Sequence, residues 1–200
     1  MNNYSLEVDK IENNLGTSLA GRKVIVYKST SSTNDVAWEY ARNRSNSGLA
    51  IFAEHQHLGR GRRGNTWLSS PGRSLLCSLL LMDIGCSAEF MALTSAVAAA
   101  EAINDTAPVR AKIKWPNDIM VNSRKIAGIL LESHSSPQGN DYVIGIGINC
   151  SQQPDFFDNS ELLMPATSLE IESGTHIDRN DLARNLLRSS RCSRTSRRKS

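Results

Sequence analysis

The chain lacks the marks of several protein classes. Its four cysteines, Cys77, Cys86, Cys150 and Cys192, are scattered with no CxxC pair. That spacing speaks against a disulfide framework or a zinc site and for a reducing, cytoplasmic setting. No uninterrupted apolar run reaches the roughly 20 residues a membrane helix needs. Met1–Asp9 has acidic residues and no apolar core, so it does not read as a secretory signal. No GxxxxGK[ST] phosphate loop occurs, and no internal repeat is visible. Aromatics make up only 6% of the 200 residues, against 40% apolar residues overall. That balance suits one ordinary globular domain, or one domain plus a fragment.

A basic character is also largely missing. The formal charge is +3, but six of the 23 Lys and Arg residues lie between Arg188 and Ser200, where there is no acid. The first 187 residues then hold 17 basic residues against 20 acidic ones, a net of −3. A nucleic-acid-binding reading of the whole chain loses most of its electrostatic support.

What the chain does have is Gly59-Arg60-Gly61-Arg62-Arg63-Gly64-Asn65-Thr66-Trp67. Glycine weakens helices and strands, and neighbouring arginines repel one another unless something negative lies between them. A cationic loop whose backbone can approach a bound group suits a polyanion such as a nucleotide triphosphate.

Around this loop the pattern predicts an α+β fold, a mixed or antiparallel sheet with helices mainly on one face. Met1–Arg22 is polar, with at most a short helix. Strands are expected at Lys23–Tyr27, Leu49–Ala53, Ser74–Met82 (buried on both faces), Lys112–Trp115 and Asp141–Asn149. Asp118–Val121 and Lys125–Glu132 read as a hairpin turning through Asn122-Ser123-Arg124. Helices are expected from a cap at Thr33 or Asn34 to about Asn43, over Ala88–Asn104, and over Asp178–Leu187 with Asp178 as cap. Pro154–Thr175 reads as irregular, and Ser189–Ser200 as disordered.

Four further segments could carry chemistry. Ser31-Ser32-Thr33-Asn34 serves a helix start, a polar heterocycle, or both. Glu54-His55-Gln56-His57 leads from an apolar strand into the loop. Gln56 can donate and accept at once, as an amide- or urea-like edge requires, and the two histidines read as solvated rather than as a metal pair. In Lys114-Trp115-Pro116-Asn117-Asp118, Trp115 is expected to pack while presenting its N–H. Asp118 is either part of an ordinary turn or a partner for a lysine or metal. Lys125 opens an apolar strand one hairpin turn later; Gly128 within it, and Gly145 and Gly147 in the next strand, mark bulges, tight packing or a flat floor for a planar ligand.

In this order, GRGRRGNTW, KWPND, RKIAGILLE and GIGIN resemble the catalytic domain of biotin–protein ligases, of the class II synthetase-like biotin/lipoate ligase fold. The similarity runs from about Lys23 to about Leu187. It implies that biotin and ATP give biotinyl-5′-AMP, and that biotin then passes to a lysine of a carrier protein such as that of acetyl-CoA carboxylase. It also implies a biotin site at Ser32, Thr33, Asn34, Gln56, Arg60, Gly61, Arg62, Lys125 and Gly128. ATP is expected against Arg60, Arg62, Arg63, Trp67, Lys125 and Asn149, with Mg²⁺ accompanying it and no dedicated metal ligands. Lys125 is the first choice for the chemistry, aided by Arg60 and Arg62. Asp118 would orient Lys125 or the carrier lysine, and the arginines stand on a loop that orders as ligand arrives. A homodimer through a sheet edge is compatible with the resemblance.

The expected organisation is an N-terminal extension (1–22), a catalytic domain (23–187) and a basic Ser/Arg-rich tail (188–200). Asn65 replaces an arginine of some relatives. Neither a DNA-binding domain nor a C-terminal β-barrel is expected, so DNA is not an expected partner. The rival readings are a catalytically impaired biotin-binding remnant, a lipoate ligase-like enzyme and a nucleic-acid-binding module.

Overall fold

The computed structural model describes residues 5–17, 20–136, 138–158 and 162–190. Seven strands form one mixed sheet. They are β1 (Lys23–Tyr27), β2 (Leu49–Ala53), β3 (Ser74–Ile84), β4 (Lys112–Lys114), β5 (Asp118–Val121), β6 (Arg124–Ser136) and β7 (Gly139–Asn149). Their order across the sheet is β1-β2-β3-β7-β6-β5-β4. Only the β1–β2 pair is parallel. The reason is the connection: a helix joins β1 to β2, whereas the β5–β6 hairpin turns tightly through Asn122 and Ser123. Both have left-handed φ, 48° and 65°, the type I′ geometry that matches strand twist. Arg124, read as part of that turn, already lies in β6.

The helices are α1 (Val8–Glu12), α2 (Thr33–Tyr40), α3 (Ala88–Thr106), α4 (Pro154–Asp158), α5 (Leu169–Ser173) and α6 (Arg179–Ser189). On one face of the sheet, Leu75, Cys77, Leu79, Ile144, Ile146 and Ile148 join Ile11 of α1, Met91, Ala99 and Ile103 of α3 and Leu182 and Leu186 of α6 in the main core. The alanines of α3 let that helix lie close to the strands. On the other face, α2 alone covers a smaller cluster of Val36, Ala37, Leu49, Ile51, Leu80, Met82 and Val143. Helices mainly on one face is therefore what the chain forms. The half-covered second face leaves sheet surface free for a site.

Burial shows in the thiols. Cys77 and Cys150 are fully buried, and desolvation pushes Cys77 up and Cys150 up to about 12. Cys77 is thus the small core hydrophobe its apolar run predicts.

Several expectations need correction. The position preceding α2 is Ser32, whose side chain makes no capping bond, and the helix ends at Tyr40 rather than Asn43. Residues 154–175 are not irregular throughout, because α4 and α5 lie there. Ser189 closes α6 instead of starting a disordered tail; residues 191–200 lie outside the described residues. Asp178 does cap α6, its carboxylate accepting from Asn180 N at 2.8 Å. Trp115 does not pack: it is 63% exposed, because β4, which it follows, is the outermost strand.

Candidate active site

The open part of the second sheet face is the floor of a cavity of about 720 Å³. Strand alternation places Leu76 and Ser78 of β3, Gly128 and Leu130 of β6 and Gly145 and Gly147 of β7 on this face. The register sets Gly128 beside Gly147, and Gly147 beside Leu76. Of the readings the glycines offer, tight packing is the one the structure shows: side chains of the protein itself cover them. The planar group resting on Gly147 and Gly128 is the Trp67 indole: a Cβ on Gly147 would lie 2.5 Å from Cε2 of that ring, and one on Gly128 3.0 Å from Cζ3. A Gly147→Ala variant should displace the indole. Denaturant titration should show a loss of about 1–3 kcal/mol, with a red shift of tryptophan fluorescence.

One end of the cavity is polar and neutral. Ser32, Thr33 and Asn34 are buried at the start of α2. Gln56 is fixed beside them, because Thr30 and Gln56 extend the β1–β2 ladder. Thr33 donates to Gln56 Oε1 from its backbone N (2.7 Å) and its hydroxyl (2.9 Å). Ser78 Oγ lies 2.7 Å from Thr33 Oγ1 and 2.6 Å from Asn34 Oδ1. This leaves Asn34 Nδ2 buried without a partner among the described residues, on a residue only 2% exposed. A buried amide N–H left unmade costs about 1–3 kcal/mol, and an acceptor entering the cavity would remove that cost.

The other end is cationic. The loop at 59–67 is a tight hairpin, with Gly61 N donating to Asn65 O (2.7 Å) and Trp67 N to Gly59 O (3.0 Å). Its tip, the 3₁₀ turn Arg62–Gly64, puts Arg63 and Gly64 in the left-handed region, at φ 56° and 78°. Arg62 donates to the neutral Asn117 Oδ1 at 3.0 Å. Among the described residues, neither Arg62 nor Arg63 forms an ion pair. Arg60 is different, gripped by Asp35 and Glu132. Lys125 Nζ is 2.7 Å from Asp118 Oδ1, an ion pair without hydrogen-bond alignment, and 5.7 Å from the Trp67 ring centre. Asn149 sits at the far edge, buried, its amide donating to Thr167 O (3.0 Å) and its oxygen accepting from Gln152. Phe156, Phe157, Leu162 and Leu163 add an apolar wall, and Leu163 is 83% exposed.

The sequence profile of the Biotin/lipoate A/B protein ligase family matches residues 26–149. The chain belongs to this family. It is 37% identical over 185 residues to the bifunctional ligase/repressor BirA of Bacillus subtilis, covering 91% of this chain and 57% of that protein. It is 36% identical over 154 residues to the biotin–[acetyl-CoA-carboxylase] ligase of Paracoccus denitrificans, covering 74% of this chain and 63% of that one. The chain thus spans little more than half the length of the first of these relatives. The fold resembles that of the Aquifex aeolicus biotin protein ligase solved with biotin and ATP (TM-score 0.72, 29% identity, 84% of this chain and 68% of that one). It also resembles the Leishmania major biotin protein ligase solved with biotin (TM-score 0.72, 25% identity, 86% and 73%).

As a member of the biotin/lipoate ligase family, the chain brings every sequence-predicted site residue to this one cavity: Ser32, Thr33, Asn34, Gln56, Arg60, Gly61, Arg62, Arg63, Trp67, Asp118, Lys125, Gly128 and Asn149 all line it. The sequence reading missed Ser78, Asp35 and Glu132, and named Asn117 only as part of the KWPND segment. Ser78 did carry a signal, a hydroxyl inside the apolar run of β3 that must find a buried partner. His55 and His57 stand apart from any metal set; among the described residues no cluster of three or more His, Cys, Asp or Glu could hold a metal. No described helix is long and apolar enough to cross a membrane.

Proposed function

We propose that this chain carries the catalytic site of an ATP-dependent biotin–protein ligase. The observation that supports this most is the polarity of the cavity. A neutral end with an orphaned donor at Asn34 Nδ2 suits the carbonyl of a cyclic urea. The Trp67 indole, seated on the glycines, offers a flat wall to a ring system. A cationic end with Lys125, Arg62 and Arg63 suits a carboxylate meeting phosphates.

In the first step a biotin carboxylate oxygen bonds to the α-phosphorus of ATP, and the bond to pyrophosphate breaks. Two anions must approach each other, so the barrier depends on cations already in place. Lys125 supplies one beside the incoming carboxylate, and Arg62 and Arg63 supply charge for the departing pyrophosphate. In the second step a carrier-protein lysine amine attacks the acyl carbon, and AMP leaves. The poorly aligned Asp118 Oδ1 can accept a proton from that amine or keep Lys125 in place. The enzyme forms no covalent intermediate; catalysis is by positioning and charge. Among the described residues Asp118 is the single carboxylate lining the cavity, so Mg²⁺ would arrive on the nucleotide phosphates rather than in a resident site.

The partner that follows from this chemistry is a biotin carboxyl-carrier domain, and the free thiols of Cys77, Cys86 and Cys150 fit the cytoplasm. Biotin-dependent exchange of labelled pyrophosphate into ATP tests the reading. Exchange should appear only with biotin present; its absence from protein shown to be folded by circular dichroism would sink it.

A further inference from the structure

Among the described residues, Arg60 is the one loop arginine whose charge is already matched. Its Nη1 lies 2.9 Å from Glu132 Oε1, and its Nη2 lies 3.3 Å from Glu132 Oε2 and 2.6 Å from Asp35 Oδ1. The guanidinium thus engages Glu132 with both prongs and Asp35 with one, the planar fork geometry that lysine cannot reproduce. Both carboxylates are held independently of the loop. Asp35 is in the first turn of α2. Glu132 stands on β6 and accepts from Trp38 Nε1 of α2 at 2.9 Å. Trp38 in turn stacks on His134, with ring centres 4.1 Å apart. Two rigid elements, a helix and a central strand, therefore converge on one loop residue.

We propose that Asp35 and Glu132 are positioning residues that anchor the 59–67 loop over the cavity through Arg60. Arg60 then serves as the fixed hinge point of the lid, not as a phosphate ligand. Two carboxylates around one guanidinium leave a net negative charge there, which repels a triphosphate. The phosphates belong at Arg62, Arg63 and Lys125. The pairs are partly solvent-exposed, so the anchor is weak enough to release and re-form. The loop can open for substrate and still return to one closed geometry.

The kinetic part of this proposal rests on the ligase reading; the conformational part does not. Trypsin digestion of the free protein, without biotin or ATP, is the first test. In an Asp35→Asn/Glu132→Gln double variant, cleavage after Arg62 and Arg63 should speed up about 3- to 10-fold, with other sites unaffected and the melting temperature preserved. In pyrophosphate exchange the same variant should raise the KM for biotin by more than it lowers kcat. Arg60→Lys should fall between wild type and the double variant in both assays. Cleavage at the wild-type rate, or cleavage spread over the whole chain, would overturn the anchor. A fall in kcat with KM unchanged would return Arg60 to the phosphates. A null result in exchange alone would count against the ligase reading and leave the anchor supported by proteolysis.

Discussion

Lys125→Met should slow biotinyl-adenylate formation by about 10²- to 10³-fold, the usual cost of losing one preorganised charge-stabilising group. Its loss of biotin affinity should be much smaller. The structure gives the lysine a fixed origin. Lys125 N donates to Pro165 O at 2.8 Å and its carbonyl accepts from Thr167 N at 2.9 Å, so its backbone is tied on the side away from β5. A register shift between Ile119 and Met120 pairs Met120 with Lys125 and Asp118 with Gly128. The Lys125 side chain therefore runs along the strand to meet Asp118 beside Gly128. Methionine keeps the stem and removes the charge, so the packing against Trp67 survives. Single-turnover formation of the adenylate, followed by chromatography, separates this step from carrier transfer. A rate within threefold of wild type would show that Lys125 does not stabilise the transition state. Asp118→Asn gives the complementary measurement: if Asp118 only orients Lys125, both steps slow together, and if it accepts the carrier proton, transfer slows more.

Most of this site was readable in the chain because its parts are local runs. The GRGRRGNTW loop, the Lys125 strand and the GIGIN strand each declare themselves by composition. Register then brings Gly128 and Gly147 side by side without any further signal. What was not readable depends on distant partners. Arg60 looks like every other loop arginine until α2 supplies Asp35 and β6 supplies Glu132, 25 and 72 residues away. Ser78 reads as a slightly polar strand residue until Thr33 and Asn34 arrive. Trp115 was misread for a related reason. A short β-run followed by tryptophan says strand, but only the order of the whole sheet says that this strand is its edge. The segment 154–175 was underestimated because two five-residue helices carry too little periodicity to stand out.

Arg179→Met should be the most damaging single change to stability, by about 3–5 kcal/mol in urea titration, because it strands a carboxylate in a low-dielectric site. The Arg179 side chain is 4% exposed and its Glu54 partner 18%, with Nη2 2.7 Å from Glu54 Oε2. Arg179 Nη1 also donates to Ser74 O at 3.1 Å, and Glu54 Oε1 accepts from Leu6 N at 2.6 Å. One ion pair thus ties the first turn of α6, the start of β3, the exit of β2 and the segment before α1. Because Glu54 lies two residues before Gln56, slack here should also reach the neutral end of the cavity. The double variant Glu54→Gln/Arg179→Met tells a buried charge from a lost tether. If the cost of Arg179→Met is the unpaired carboxylate, neutralising it should restore about half or more of the lost stability. If the double variant is no more stable than Arg179→Met, the hydrogen bonds to Ser74 and Leu6, and not the charge pairing, hold these four elements together.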